Sequence, residues 1–124
     1  MRLLLDTHVL LWWLDDVPFG RKAHDAISRA SNVVCVSAAS AWEIGVKMAI
    51  GKLRVPDDLE ARLHDERFVP LPVTMAHGLA VASLPRLHGD PFDRLLVAQA
   101  RAEGLTLVTR EERLAEYGVP LLVA

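Results

Sequence analysis

Five short apolar runs, spaced so that a helix fits between each pair, constrain the fold of this chain more than any other feature. They are Arg2–Leu5, Val33–Val36, Phe68–Leu71, Thr106–Thr109 and Val119–Val123. Each is mostly aliphatic rather than alternating with polar residues, the pattern of a strand covered on both faces. The intervening stretches read as helices: Thr7–Leu14, Arg21–Ala30, Ala38–Ile50, one opened by Val55–Pro56–Asp57 and running to about Glu66, Thr74 to about Ser83, Pro91–Glu103, and a short one at Arg110–Glu116. Local punctuation agrees. Thr7 and Thr74 are placed to cap helix starts, Pro91 sits where a missing N–H is harmless, and Gly51 and Gly104 follow helix ends. The alternation predicts an α/β domain with a mostly parallel sheet of four to five strands and helices on both faces. The 124 residues suit one domain spanning 1–124, without repeats or a linker.

Composition excludes several classes. Although 52% of the residues are hydrophobic, every apolar run is too short to span a bilayer. The first run is cut by Asp6, so the N-terminus does not read as a signal peptide, and the chain is expected in the cytoplasm. The lone Cys35, inside an apolar run, reads as a buried core residue. No phosphate-binding glycine loop, nucleophile elbow or zinc-spaced His/Cys cluster is present. His8, His24, His64, His77 and His88 are scattered and read as surface or supporting residues. The net charge of −2 advertises no basic face, so any contact with nucleic acid must be local, assisted by metal, or shared across a dimer.

The acids are the chemistry-bearing residues. Asp6 ends the first apolar run, where it either caps the following helix or sits in a site beyond the sheet edge. Glu43 interrupts an apolar helix between Trp42 and Ile44, read as core neighbours, and could simply pair with Lys47 one turn on. Asp90 and Asp93 lie together at one helix start, where the dipole already favours negative charge. Glu111 follows the fourth strand, and Glu112 reads as a surface residue. In open parallel sheets, sites lie beyond the carboxyl ends of the strands, which is where Asp6 and the Thr109–Glu112 segment belong. Carboxylates gathered in one cleft suit a hard cation such as Mg²⁺ or Mn²⁺.

Four segments together resemble the PIN-domain family, and most nearly its VapC-type toxins: LLLDTHVLLWWL at 3–14, SAASAWEIGVKMAIGKL at 37–53, HGDPFDRLLVAQARAEG at 88–104 and LTLVTREERL at 105–114. The resemblance runs over nearly the whole chain. It implies a PIN-like three-layer α/β/α domain and a Mg²⁺- or Mn²⁺-dependent endoribonuclease. By position it makes Asp6, Glu43 and Asp93 metal-site acids, adds Asp90 as the extra acid of the DPFDR block, and puts Glu111 where an Asp is usual. It also implies a homodimer held inactive by a small VapB-like antitoxin, with Val9–Leu14 and Trp42–Ile50 as candidate docking helices.

The resulting expectation is hydrolysis of an RNA phosphodiester at a site of Asp6, Glu43, Asp90 and Asp93. Asp6 and Asp93 would hold one ion directly, Glu43 and Asp90 would act through water, and Glu111 would lie near a second ion. Thr7, Thr109, Arg94 and Arg110 are the candidate substrate contacts, with Lys47 a further phosphate contact. A non-catalytic RNA- or protein-binding module and a structure-specific DNA nuclease are the alternatives.

Overall fold

A computed structural model of the protein describes residues 1–55 and 57–124. Five strands, β1 (Arg2–Leu5), β2 (Val33–Ser37), β3 (Val69–Leu71), β4 (Thr106–Thr109) and β5 (Leu121–Val123), form one sheet in the order β3-β2-β1-β4-β5. Every neighbouring pair is parallel. Leu4 aligns with Cys35 on one side and Leu107 on the other, so the centre of the sheet is apolar across three strands.

Among the described residues six α-helices connect the strands: α1 (Thr7–Leu14), α2 (Arg21–Ser28), α3 (Ala38–Ala49), α4 (Leu59–Asp65), α5 (Met75–Ala80) and α6 (Pro91–Glu103). Alternate strand residues feed two cores. Leu3, Leu5, Val34, Val36 and Val108 pack with Val9 and Leu10 of α1 and Ala23 and Ile27 of α2. On the opposite face, Leu4, Cys35 and Leu107 pack with Leu96, Val97 and Ala100 of α6. Apolar residues on both faces of each strand account for runs that do not alternate. Cys35 is buried and free, and burial pushes its thiol pKa up. Among the described residues no helix is long and apolar enough to cross a membrane.

Several local expectations change. Asp6, not Thr7, caps α1, its carboxylate accepting from the Val9 N–H at 2.8 Å. The segment read as a helix at Arg110–Glu116 is a 3₁₀ turn at Glu112–Tyr117, and the last strand starts at Leu121 rather than Val119. Likewise α5 ends at Ala80 and continues as a 3₁₀ turn at Val81–Ser83. The helix start expected at Val55–Pro56–Asp57 involves Pro56, outside the described residues, and α4 begins at Leu59. Gly104 closes α6 at φ 65°, a left-handed conformation cheap only for glycine, and sends the chain directly into the buried Leu105 and β4.

The strand order positions the site. From β1 the chain builds outward to β2 and β3, then crosses back to lay β4 on the other side of β1. The connections leaving β1 and β4 therefore diverge, opening a crevice at their carboxyl ends. Asp6 follows β1, and Arg110 and Glu111 follow β4. Helix α3, which packs against both α1 and α6, brings Glu43 to the same end.

Candidate active site

The crevice is a pocket of about 500 Å³ whose lining includes Asp6, Asp90, Asp93 and Glu111, with Arg110 and Arg113. Four carboxylates, from three separate stretches of chain, thus face two guanidinium groups.

Asp6 is buried and doubly held. Besides capping α1, it receives a hydrogen bond from the Thr109 hydroxyl, which ties the end of β1 to the end of β4. Burial raises its pKa; the Thr109 and Val9 hydrogen bonds and the nearby His8 oppose the rise, and Glu43 adds to it. Asp90 caps α6, accepting from Phe92 N at 2.9 Å and Asp93 N at 3.3 Å. Its own N–H donates to His88 Nδ1 at 3.0 Å. Asp93, one turn in, has its pKa pushed up to about 7, first by burial and then by repulsion from Asp90, Asp6, Glu43 and Glu111. All four of those acids thus stand near enough to Asp93 to disfavour its charge.

Glu43 is 4% exposed and lies behind the pocket, where Lys47 Nζ meets its Oε2 at 2.7 Å. Its neighbours divide: Ile44 is core, whereas Trp42, read from sequence as core-like, is 60% exposed and rests against Phe92 at 5.0 Å between ring centroids. That contact joins α3 to the start of α6. Glu111 is paired instead with Arg113, which donates to both its oxygens at 2.9 and 3.3 Å and holds its carboxyl below the usual range. Among the described residues, no Lys or Arg lies within salt-bridge distance of Asp6, Asp90 or Asp93.

The candidate substrate contacts fare unequally. Arg110 does line the pocket, its guanidinium stacked 4.3 Å above the Trp12 ring and its Nε donating to Ala124 O at 3.2 Å. Thr109 is fully buried and Thr7 nearly so, which takes both off the substrate surface. Thr109 braces Asp6 and accepts the Glu111 N–H at 3.0 Å, while Thr7 donates to Ser40 at 3.0 Å, fastening α1 to α3. Arg94 turns away from the acids. It donates to Pro85 O at 2.8 Å, Val81 O at 3.2 Å, Leu84 O at 3.5 Å and the Tyr117 hydroxyl at 3.2 Å, a clamp on the loop before α6. Lys47 is engaged with Glu43 rather than open to a phosphate.

Sequence reasoning passed over His8, His88, Arg113 and Trp12, which also line the pocket. The available signal was position, since His8 and His88 each lie two residues from a singled-out aspartate. His77, grouped with the surface histidines, is 3% exposed and belongs to a buried network elsewhere.

The donor set suits a hard divalent cation in kind, being all carboxylate oxygen with an excess of negative charge that such an ion relieves. Among the described residues no three His, Cys, Asp or Glu side chains are arranged as a ready-made ion cage. An ion at this site would have to be held partly through water or after small side-chain adjustments, which is Mg²⁺'s ordinary habit.

Fold and site define a class: a parallel α/β domain with an acidic pocket at the switch point of its sheet. The PIN domain profile matches residues 3–120. The chain belongs to the PIN-domain family. It is 31% identical over 125 residues to Ribonuclease VapC22 of Mycobacterium tuberculosis, an alignment covering 94% of this chain and 92% of that one. Among solved structures, VapBC2 from Rickettsia felis bound to a promoter DNA fragment is similar at TM-score 0.77 and 16% identity, covering 99% and 98% of the two chains. DNA-bound VapBC from Salmonella typhimurium is similar at TM-score 0.69 and 18% identity, covering 99% and 98%. At these identities the structural likeness bears on the fold.

Proposed function

We propose that this protein is a Mg²⁺- or Mn²⁺-dependent endoribonuclease that acts as the toxin of a toxin–antitoxin pair. The observation that carries the reading is the convergence of Asp6, Asp90, Asp93 and Glu111 on one pocket, with Glu43 behind it. The name of the Mycobacterium tuberculosis relative supports RNA as substrate. Similarity to chains from VapBC complexes supports a small VapB-like antitoxin as partner. Homodimerisation, cytoplasmic residence and one functional domain over residues 1–124 go with this reading.

Asp6 and Asp93 would hold the cation, with Asp90 and Glu43 acting through water. When bound, the ion supplies a water of lowered pKa and neutralises phosphate charge. The protein's own groups then divide the remaining work. Asp6 is fixed by the Val9 N–H and the Thr109 hydroxyl, so its placement needs no reorganisation. The position of Asp93 in the first turn of α6 is set by the Asp90 cap. Arg110, flattened on Trp12, is placed to meet a phosphate oxygen at the pocket mouth. Glu111, already paired with Arg113, is the weakest candidate ligand and would serve a second ion at most.

The test is incubation of purified protein with defined RNA, and with DNA of the same sequence, with Mg²⁺ or Mn²⁺ and with EDTA. RNA cleaved only with metal, and spared by Asp6→Asn, supports the reading. Cleavage of DNA alone, or metal-independent binding of RNA without cleavage, overturns it.

A further inference from the structure

Beside the acidic pocket lies a second cavity, of about 490 Å³, lined by Arg86, Leu87, His88, Gly89 and Arg94. His88 is the shared wall of the two. Its ring is pinned: Nδ1 accepts the Asp90 N–H, so the neutral imidazole carries its proton on Nε2, which stands 3.9 Å from Asp93 Oδ2. One side of this histidine therefore belongs to the acids and the other to the neighbouring cavity.

The two cavities have opposite electrical character. The second has no carboxylate in its lining and two arginines. Every acceptor bound to the Arg94 guanidinium is neutral, so its fixed charge is held in place without being cancelled. Arg86 is exposed, and among the described residues neither arginine is ion-paired. Two uncompensated guanidinium groups in one concave site favour a phosphate-type anion, which arginine also matches in geometry.

We propose that this basic cavity holds the backbone phosphate of the RNA strand next to the one being cleaved. The inference rests on the nuclease reading. Arg86 makes the direct contact, Arg94 supplies fixed positive potential, and His88 separates the anchoring pocket from the reacting one. An acidic protein thereby gains a local grip on a polyanion at the place where its own carboxylates would otherwise repel it. RNA is preferred to an acidic peptide because the cavity adjoins, across His88, the pocket in which a phosphodiester would react.

The experiment measures binding of labelled single-stranded RNA by fluorescence anisotropy in EDTA, over a range of salt concentrations, alongside cleavage kinetics in Mg²⁺. One lost phosphate contact in Arg86→Ala lowers the slope of log K against log salt by about 0.7, with RNA bound several-fold more weakly. Arg86→Glu weakens binding by roughly tenfold or more at about 0.1 M salt. KM rises in both while kcat stays near that of the unaltered chain, and Lys22→Ala, an exposed cation on α2, matches the unaltered chain throughout. An unchanged salt slope in Arg86→Ala, or no RNA binding by the unaltered chain, overturns the subsite. So does loss of a protein partner in Arg86→Glu with RNA binding intact. Failure of the nuclease reading looks different: the unaltered chain then cleaves no RNA in metal.

Discussion

The polar cluster around His77 and the half-buried acidic cluster around Asp93 are built on opposite principles. Around His77, every group has a partner. Ser37 donates to Gln99 Oε1, Gln99 Nε2 donates to Pro72 O at 3.2 Å and meets His77 Nδ1 at 3.3 Å, and His77 Nε2 approaches Glu103 at 3.3 Å. The Thr74 N–H also donates to His77 Nδ1, at 3.0 Å, completing a capping box. Around Asp93, by contrast, carboxylates gather with too few cations among them, and the electrostatic strain appears as a pKa near 7. A satisfied network holds α5 and α6 against β2; a crowd of like charges costs stability and is the kind of place where functional sites are found.

The contrast is broken most severely by removing an acid that the function requires. Asp6→Asn or Asp93→Asn should cut metal-dependent RNA cleavage by about a hundredfold or more, the scale of the several kcal/mol a bound cation contributes. Circular dichroism should show the fold intact, and full activity in either variant removes that residue from the site.

In the satisfied cluster a comparable change should damage stability instead. Gln99→Leu takes the acceptor from the Ser37 hydroxyl and the donor from the Pro72 carbonyl, and should destabilise the protein by about 2–4 kcal/mol in denaturant unfolding while sparing the acidic pocket. A neutral result would mean that the network adds little to the fold.

The acidic cluster should respond in the opposite sense. Because the folded-state pKa of Asp93 is raised, its favourable contribution is complete below about pH 4, its unfolded value, and is lost as pH rises through about 7. The metal-free protein should therefore lose stability over that interval. Asp93→Asn should flatten the profile and stabilise the metal-free chain near pH 8 by about 2 kcal/mol, discounted for partial exposure. Added Mg²⁺ should raise the Tm of the unaltered protein more than that of Asp93→Asn. A Tm that is flat with pH and indifferent to Mg²⁺ argues against a strained cluster. The smallest effect is expected at the rim, where Arg113→Ala removes an exposed ion pair and should leave Tm unchanged in a thermal melt.

Much of the fold was legible because its signals are local or periodic. The runs starting at Arg2, Val33 and Thr106 are strands within a residue of expectation, and Asp90, Pro91 and Gly104 bound α6 as their chemistry requires. Misread elements were short ones with weak signals, such as the 3₁₀ turn at Glu112–Tyr117. The site was legible in residue type but not in detail. Thr109 is as plausible a substrate hydroxyl as any until its burial is known, and Arg94 as plausible a phosphate contact until its four acceptors are seen.

By itself, then, the amino-acid order determined a parallel α/β architecture, the caps of α5 and α6 and the closeness of Asp90 to Asp93, because each depends on residues a few positions apart. Tertiary structure decided that β1 lies between β2 and β4. That choice brings Asp6 to Asp93 and Glu111, while packing turns Arg94 away from them and leaves Trp42 at the surface. Strands that are apolar on both faces do not encode their neighbours in their own pattern. The order of the sheet is fixed only by how the helices cover it, and with it the meeting of acids drawn from distant parts of the chain.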